Sequence, residues 1–102
     1  MQEAQPKAET ATERKAERVP IRAAVQFRAG SRRSQVTVND LSTHGARISF
    51  AHILRAGDQF FLKLPVIEPI EAEVVWVDQF EAGCKFLKPI HPVMFETVIR
   101  AA

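Results

Sequence analysis

A ten-residue stretch, NDLSTHGARI at residues 39–48, combines three residue types that suit recognition of a guanine base. Asp40 only accepts hydrogen bonds when ionised, so it matches paired donors such as the N1–H and N2–H of a guanine edge. Ser42 can donate or accept, and Gly45 allows a backbone N–H to approach a ligand closely. A structural role is the alternative, because Asp40 can form an Asx turn and Gly45 can occupy a corner with positive φ.

Two arginines upstream of this loop supply complementary chemistry. Arg14 and Arg18 are four residues apart in ERKAERVP, which places them on one face of a helix, or about 13 Å apart on one side of an extended segment. Each guanidinium matches a phosphate or the O6/N7 edge of guanine and can stack on a base. The two motifs jointly fit guanine plus phosphate, whereas either alone favours an ordinary turn or a solvated charged helix.

The sequence has no pattern typical of catalysis or metal binding. Ser42 and His44 lack the G-x-S-x-G context that exposes a nucleophilic serine. The three histidines and Cys84 lack metal-ligand spacing. We therefore predict no enzymatic activity, no catalytic residue and no metal ligand. Cys84 is predicted to lie in the core, and Trp76 in the core or at a barrel end, with base stacking as the alternative.

Length and composition indicate one globular domain in a reducing cytoplasm. The chain has 102 residues, 46% of them hydrophobic and 25% charged, with one cysteine. No apolar run is long enough to span a bilayer, so membrane insertion is not expected. Residues 1–33 hold eight basic and four acidic residues, whereas the remainder is net acidic. This asymmetry indicates an anionic partner at one end, with a merely solvated basic face as the alternative.

Apolar alternation predicts an all-β fold with a short terminal helix. Residues 1–12 are polar and without periodicity, which predicts a disordered tail. Alternation begins after Pro20, and its spacing predicts a small antiparallel barrel of six strands. The strands are expected within residues 21–29, 36–38, 46–50, 59–64, 70–77 and 82–86. Pro92 and the apolar pairs that follow it predict a helix over residues 92–102.

The two motifs together resemble those of PilZ domains, which are bacterial receptors for cyclic di-GMP. In that family R-x-x-x-R precedes the first barrel strand and D-x-S-x-x-G lies between the second and third. The resemblance extends over about residues 13–100 and implies a six-stranded antiparallel β-barrel with a short C-terminal helix and a flexible N-terminal arm. The implied domain is 13–102, divided into a ligand-binding arm at 13–20, a barrel at 21–88 and a helix at 92–102.

The resemblance also implies which residues bind the ligand. Arg14 and Arg18 are expected on the phosphates and guanines of cyclic di-GMP. Asp40, Ser42 and Gly45 are expected on a guanine and the adjoining backbone. No cofactor other than this ligand is expected. The number of ligand molecules is left open, because Glu13 stands where a further cation could help to hold a second copy.

As a whole, the sequence predicts a cytoplasmic signalling receptor or adaptor that regulates an unidentified downstream protein. Motility and exopolysaccharide production are the outputs that the resemblance implies. One alternative is a PilZ-like protein interaction module that is independent of nucleotide. A barrel that binds single-stranded nucleic acid is the other, but it needs exposed aromatic residues and a basic groove. The phenylalanines here are expected mostly on inward faces and residues 34–102 are net acidic, so neither DNA nor RNA is expected as a partner.

Overall fold

Alternating apolar and polar residues close the chain into a barrel of six antiparallel strands. The structure is a computed structural model that describes residues 17–102. Around the barrel the strand order is β1-β2-β3-β6-β5-β4, which confirms the predicted fold class. The elements are β1 (Val19–Ala29), β2 (Arg32–Leu41), β3 (Gly45–Ser49), β4 (Gln59–Lys63), β5 (Ile70–Asp78), β6 (Glu81–Phe86) and helix α1 (Pro92–Ala101). No helix among these elements is long and apolar enough to cross a membrane.

The barrel interior is filled by the inward-facing residue of each alternating pair. The rings of Phe27 and Phe60 stack at 4.7 Å between centroids. Cys84 lies in this core as predicted, and burial raises the pKa of its thiol to about 12. Its Sγ donates to the carbonyl of Ala46 at 3.4 Å.

Helix α1 covers the barrel with one apolar face. Its first residue is Pro92, which loses nothing there because the first helical N–H has no partner within the helix. His91 caps the helix by accepting the N–H of Val93 at 3.1 Å. Val98 is completely buried, and Phe95 and Ile99 pack against the core, so the predicted terminal helix is confirmed.

Strand β1 begins at Val19, two residues before the predicted start of the barrel. Val19 and Pro20 pair with Leu41 and Asp40 of β2, so they belong to the barrel and not to the predicted arm at 13–20. The sequence pattern predicts that the first strand begins after Pro20. The fixed φ of proline is compatible with an extended strand, however, and its missing N–H is tolerated at a strand end.

Of the two structural positions predicted for Trp76, the core and a barrel end, the structure excludes the core. A register shift between Val74 and Trp76 adds a residue to β5, so that Val74 still faces the core beside Cys84 while Trp76 pairs with Gly83. The Trp76 side chain lies on the outside of the barrel and is 39% exposed. A strict period of two cannot predict this position, because a bulge reverses which face each later residue occupies.

Replacing Cys84 with serine should destabilise the barrel. The smaller and more polar hydroxyl would occupy a site packed for sulfur, at a cost of about 1–2 kcal/mol in the free energy of unfolding. Chemical denaturation of Cys84→Ser and of Cys84→Ala measures this cost. The alanine variant is the matched control, because it loses the sulfur without adding a polar group. A serine variant more stable than the alanine variant would contradict the prediction.

Candidate ligand-binding site

A chain of ion pairs crosses the outer wall of the barrel from the start of β1 to β6. Arg18 Nη1 lies 3.3 Å from Asp40 Oδ1, and Arg47 Nε lies 2.9 Å from Asp40 Oδ2. Arg47 Nη1 then reaches Glu81 Oε2 at 2.8 Å. The structure therefore brings together two of the predicted ligand residues, Arg18 and Asp40. Arg14 lies outside the described residues.

Strand register explains why these side chains meet. Pro20 pairs with Asp40, and Asp40 pairs with Arg47. Cross-strand partners on one face have β-carbons about 5 Å apart, which suits an ion pair between Asp40 and Arg47. A register shift between Val38 and Asp40 accompanies this arrangement, and the intervening Asn39 donates to Ser49 Oγ at 2.7 Å and to Glu81 Oε2 at 3.3 Å.

Arg47 is the central cation of the chain, although the sequence motifs did not predict a role for it. Its pKa is raised by its hydrogen bond to Asp40 and by the charges of Asp40 and Glu81, so it remains protonated. The sequence pattern around Arg47 indicated only that its side chain faces outward. Arg47 follows Gly45 by two residues and alternates with inward-facing Ala46 and Ile48, which places it outward without naming a partner.

Ser42 uses its hydroxyl within its own loop. The residue is only 6% exposed, and its Oγ accepts the backbone N–H groups of His44 and Gly45, each at 3.1 Å. Its own N–H donates to the carbonyl of Gly45 at 2.9 Å. Ser42 therefore fixes the conformation of the turn that follows Asp40.

The same turn is bonded to the end of the barrel. The carbonyl of His44 accepts the N–H of Phe86, and the carbonyl of Thr43 accepts the N–H of Ile90, both at 2.8 Å. Ile90 is buried immediately before the residue that caps α1. The loop is thus held on one side by Ser42 and on the other by the segment between β6 and the helix.

Gly45 is required for the contact between β3 and β6. A β-carbon at this position would lie 2.2 Å from the carbonyl oxygen of Cys84, which no side chain allows. Gly45 is not among the glycines with positive φ, and its N–H is already bonded to Ser42. The structure therefore gives a packing reason for this glycine, in place of a corner conformation.

Trp76 extends the site along the same wall. Asp40, Arg47, Gly83 and Trp76 are successive cross-strand partners in β2, β3, β6 and β5. A β-carbon on Gly83 would lie 2.2 Å from the indole Nε1, so the ring rests directly on the glycine backbone. This outer row, from Asp40 to Trp76, offers a carboxylate, a guanidinium and an aromatic ring on one surface.

Comparison with known families explains this combination of barrel, arginine and loop. The sequence matches the family model of the PilZ domain over residues 12–101. The chain belongs to the PilZ domain family. PilZ domains are generally receptors for cyclic di-GMP, and they serve as binding or adaptor domains. Comparison with curated proteins found no matching relative.

The wall of this PilZ domain is suited to holding a ligand by charge, hydrogen bonds and stacking. Within residues 17–102 no group of three histidine, cysteine or acidic side chains is placed to hold a metal ion. The side chains that face outward here are arginines, carboxylates, an amide and an indole. Such groups recognise planar, anionic molecules, and guanidinium forks pair with phosphate oxygens.

Substituting Gly83 with alanine should displace the indole of Trp76. The added methyl group would overlap the ring, so the side chain must rotate away from the wall and become more exposed to water. Because the chain has one tryptophan, its fluorescence reports the change, and we expect a red shift of the emission maximum.

The matched control for this substitution is Gly30→Ala. Gly30 has a positive φ and no atoms within 4 Å of an added β-carbon, so this change strains a turn without touching the indole. Its melting temperature should fall while its emission maximum stays the same. An unchanged emission maximum in Gly83→Ala would contradict the described packing.

Proposed function

We propose that this PilZ domain binds cyclic di-GMP on the outer row from Asp40 to Trp76, with Arg14 and Arg18 completing the site from the N-terminal segment. The observation that carries the proposal is the position of Asp40 between two guanidinium groups. One of them, Arg18, belongs to the R-x-x-x-R motif, and the carboxylate belongs to the D-x-S-x-x-G motif. Family membership supports the ligand's identity.

The two contacts of Asp40 differ in a way that suits ligand entry. The bond to Arg47 is short, whereas Arg18 makes one contact of 3.3 Å and its side chain is 61% exposed. An exposed ion pair contributes little to stability, so Arg18 can leave the carboxylate at small cost. In the proposed complex Arg18 turns to a phosphate or guanine, while Arg47 keeps Asp40 oriented toward the N1–H and N2–H of the base.

Trp76 provides a surface for the second recognition element. Its indole lies so close to Gly83 that a β-carbon there would overlap the ring, and it remains partly exposed. Stacking of a base on an aromatic ring contributes about 1–3 kcal/mol in other nucleotide-binding proteins. We infer that a guanine of the ligand stacks on Trp76, the role that the sequence left as an alternative.

The proposed output is a change of surface that a downstream protein recognises. The loop after Asp40 is bonded through Thr43 to Ile90, just before α1. A shift of this loop would therefore reach the helix, which carries the exposed apolar side chains of Val93 and Met94. We propose a receptor or adaptor that works in the cytoplasm and regulates a partner in motility or exopolysaccharide production.

Calorimetric titration with cyclic di-GMP tests the proposal directly. We expect binding by the wild-type protein and a ten- to hundredfold weaker affinity for Arg18→Ala or Arg14→Ala, because each loses a charged fork. Arg100→Ala is the control, since that arginine lies on α1 and pairs only with Glu96 in the described structure. No binding by the wild type would favour an interaction module that is independent of nucleotide.

Asp40 should determine the preference for guanine. In the wild type the carboxylate of Asp40 favours guanine, because adenine lacks the pair of donors that it accepts. Asp40→Ala loses this carboxylate and is expected to bind cyclic di-GMP and cyclic di-AMP with similar, weak affinities. Competition between the two dinucleotides measures the preference. Should the variant lose affinity for both in equal proportion, Asp40 would serve only to shape the loop.

Arg47 should act through Asp40. In a double-mutant cycle with Arg47→Gln and Asp40→Ala, the second substitution is expected to weaken binding much less when the first is present. Independent, additive losses would show that Arg47 contacts the ligand on its own account. Circular dichroism of each variant verifies that the barrel is intact.

Ligand binding should also protect the two motifs from solvent. We expect amide hydrogen exchange to slow at residues 13–18 and 39–46 when cyclic di-GMP is added, because both segments gain contacts with the ligand. Mass spectrometry of exchanged peptides measures this. Exchange at residues 13–18 that is equally slow without ligand would contradict the ordering of this segment by the nucleotide.

A further inference from the structure

A concave surface lies on a different wall of the barrel from the outer row, across β2, β1 and β4. The cavity has a volume of about 520 Å³. The outward-facing side chains that line it are Gln26, Arg28, Arg33, Gln35, Phe61 and Lys63. Along β1 it lies on the order of 20 Å from Pro20, which marks the position of Asp40. The cavity is therefore separate from the proposed cyclic di-GMP site.

Two arginines face each other directly in this cavity. Arg28 and Arg33 are cross-strand partners in β1 and β2, so their β-carbons are about 5 Å apart on the same face. Like charges at such positions destabilise a sheet. In the described part of the chain the ion pairs involve other arginines, and no carboxylate reaches either of these two. An anion held between them would remove the repulsion.

Phe61 orders one of the two guanidinium groups. Arg28 pairs with Phe61 of β4, and its Cζ lies 4.6 Å from the centre of the ring. This cation–π contact restricts the Arg28 side chain and does not use up its N–H donors. Arg28 therefore presents an oriented fork of donors, whose entropy of ordering is already lost before a ligand arrives.

The remaining lining adds charge and neutral polar groups. Lys63 lines the cavity and donates from Nζ to the carbonyls of Leu64 and Ile67, so its positive charge is held beside the cavity. Gln26 and Gln35 are cross-strand partners that provide amide donors and acceptors. The described residues that line the cavity include no acidic side chain.

We propose that this cavity binds a small phosphate ester, with Arg28 and Arg33 holding the phosphate. Two guanidinium groups on cross-strand partners and a nearby ammonium favour a group with two or more negative charges. The cavity is also within the size range of small-molecule sites. The glutamine pair and Phe61 would contact the sugar or ring that carries the phosphate. This inference stands on the β1–β2–β4 wall alone and does not depend on cyclic di-GMP binding.

Nuclear magnetic resonance titration of the full chain tests the proposal. Inorganic pyrophosphate and ADP are the probes, because neither contains guanine. We expect amide shifts concentrated at residues 26–28, 33–35 and 61–63, and a dissociation constant at least tenfold higher in Arg28→Gln/Arg33→Gln. Arg22→Gln is the matched control, since it lies on the same face of β1 outside the cavity lining; it should change the constant less than twofold.

Thermal melting provides a second, independent readout. Arg33→Gln leaves the stacking of Arg28 on Phe61 intact, so it tests the charge pair without disturbing the aromatic contact. At low salt it should melt at or above the wild-type temperature, because it removes the repulsion. Pyrophosphate should raise the melting temperature of the wild type and not that of this variant.

Three results would overturn the proposal. The first is a set of shifts spread evenly over all surface cations, and the second is an unchanged dissociation constant in the double variant. The third is binding of a single-stranded oligonucleotide through these arginines with no binding of ADP or pyrophosphate. That outcome would assign the wall to nucleic acid instead of a small phosphate ester.

Discussion

The carboxylate of Asp40 contacts two guanidinium groups, and the arrangement of the outer row from Asp40 to Trp76 depends on these contacts. Arg18 approaches from the chain before β1 and Arg47 from β3, so this carboxylate on β2 links β3 to the residue that precedes β1. The Asp40 side chain is only 14% exposed, so its negative charge needs hydrogen bonds or a positive charge in place of the water that it has lost. Arg47 supplies this positive charge at 2.9 Å. The contact with Arg18 is longer, at 3.3 Å, and Arg18 is exposed, so a ligand group can replace it.

Irregularities in the strands, more than the strands themselves, shape this wall. Register shifts occur between Pro20 and Ala23, between Val38 and Asp40, and between Val74 and Trp76. Each lies beside a residue of the site. The core tolerates the first two shifts because alternation continues after them in β1 and β3, and it tolerates the third because β5 beyond Val74 has only exposed residues. The barrel thus keeps a regular interior and concentrates its departures from regularity along the outer row from Asp40 to Trp76.

The sequence predicted the parts of this protein that follow from local pattern. Alternation around Val25 and Phe27 sufficed for the barrel, and motif spacing pointed to Arg18 and Asp40. The role of Arg47 and the exposed position of Trp76 could not be predicted. Arg47 depends on which residues pair across strands, and Trp76 depends on a bulge that the sequence pattern does not indicate. Spacing along one strand does not reveal register between strands.

The buried thiol beneath the loop has a practical consequence for building a sensor from this domain. Thiolate is the reactive form of cysteine, and with a pKa of about 12 only about one Cys84 side chain in ten thousand is ionised at pH 8. Maleimide dyes would therefore react very slowly with Cys84. A second cysteine placed on the exposed face of α1 could be labelled alone, giving a single-site optical reporter without first removing Cys84 from the core.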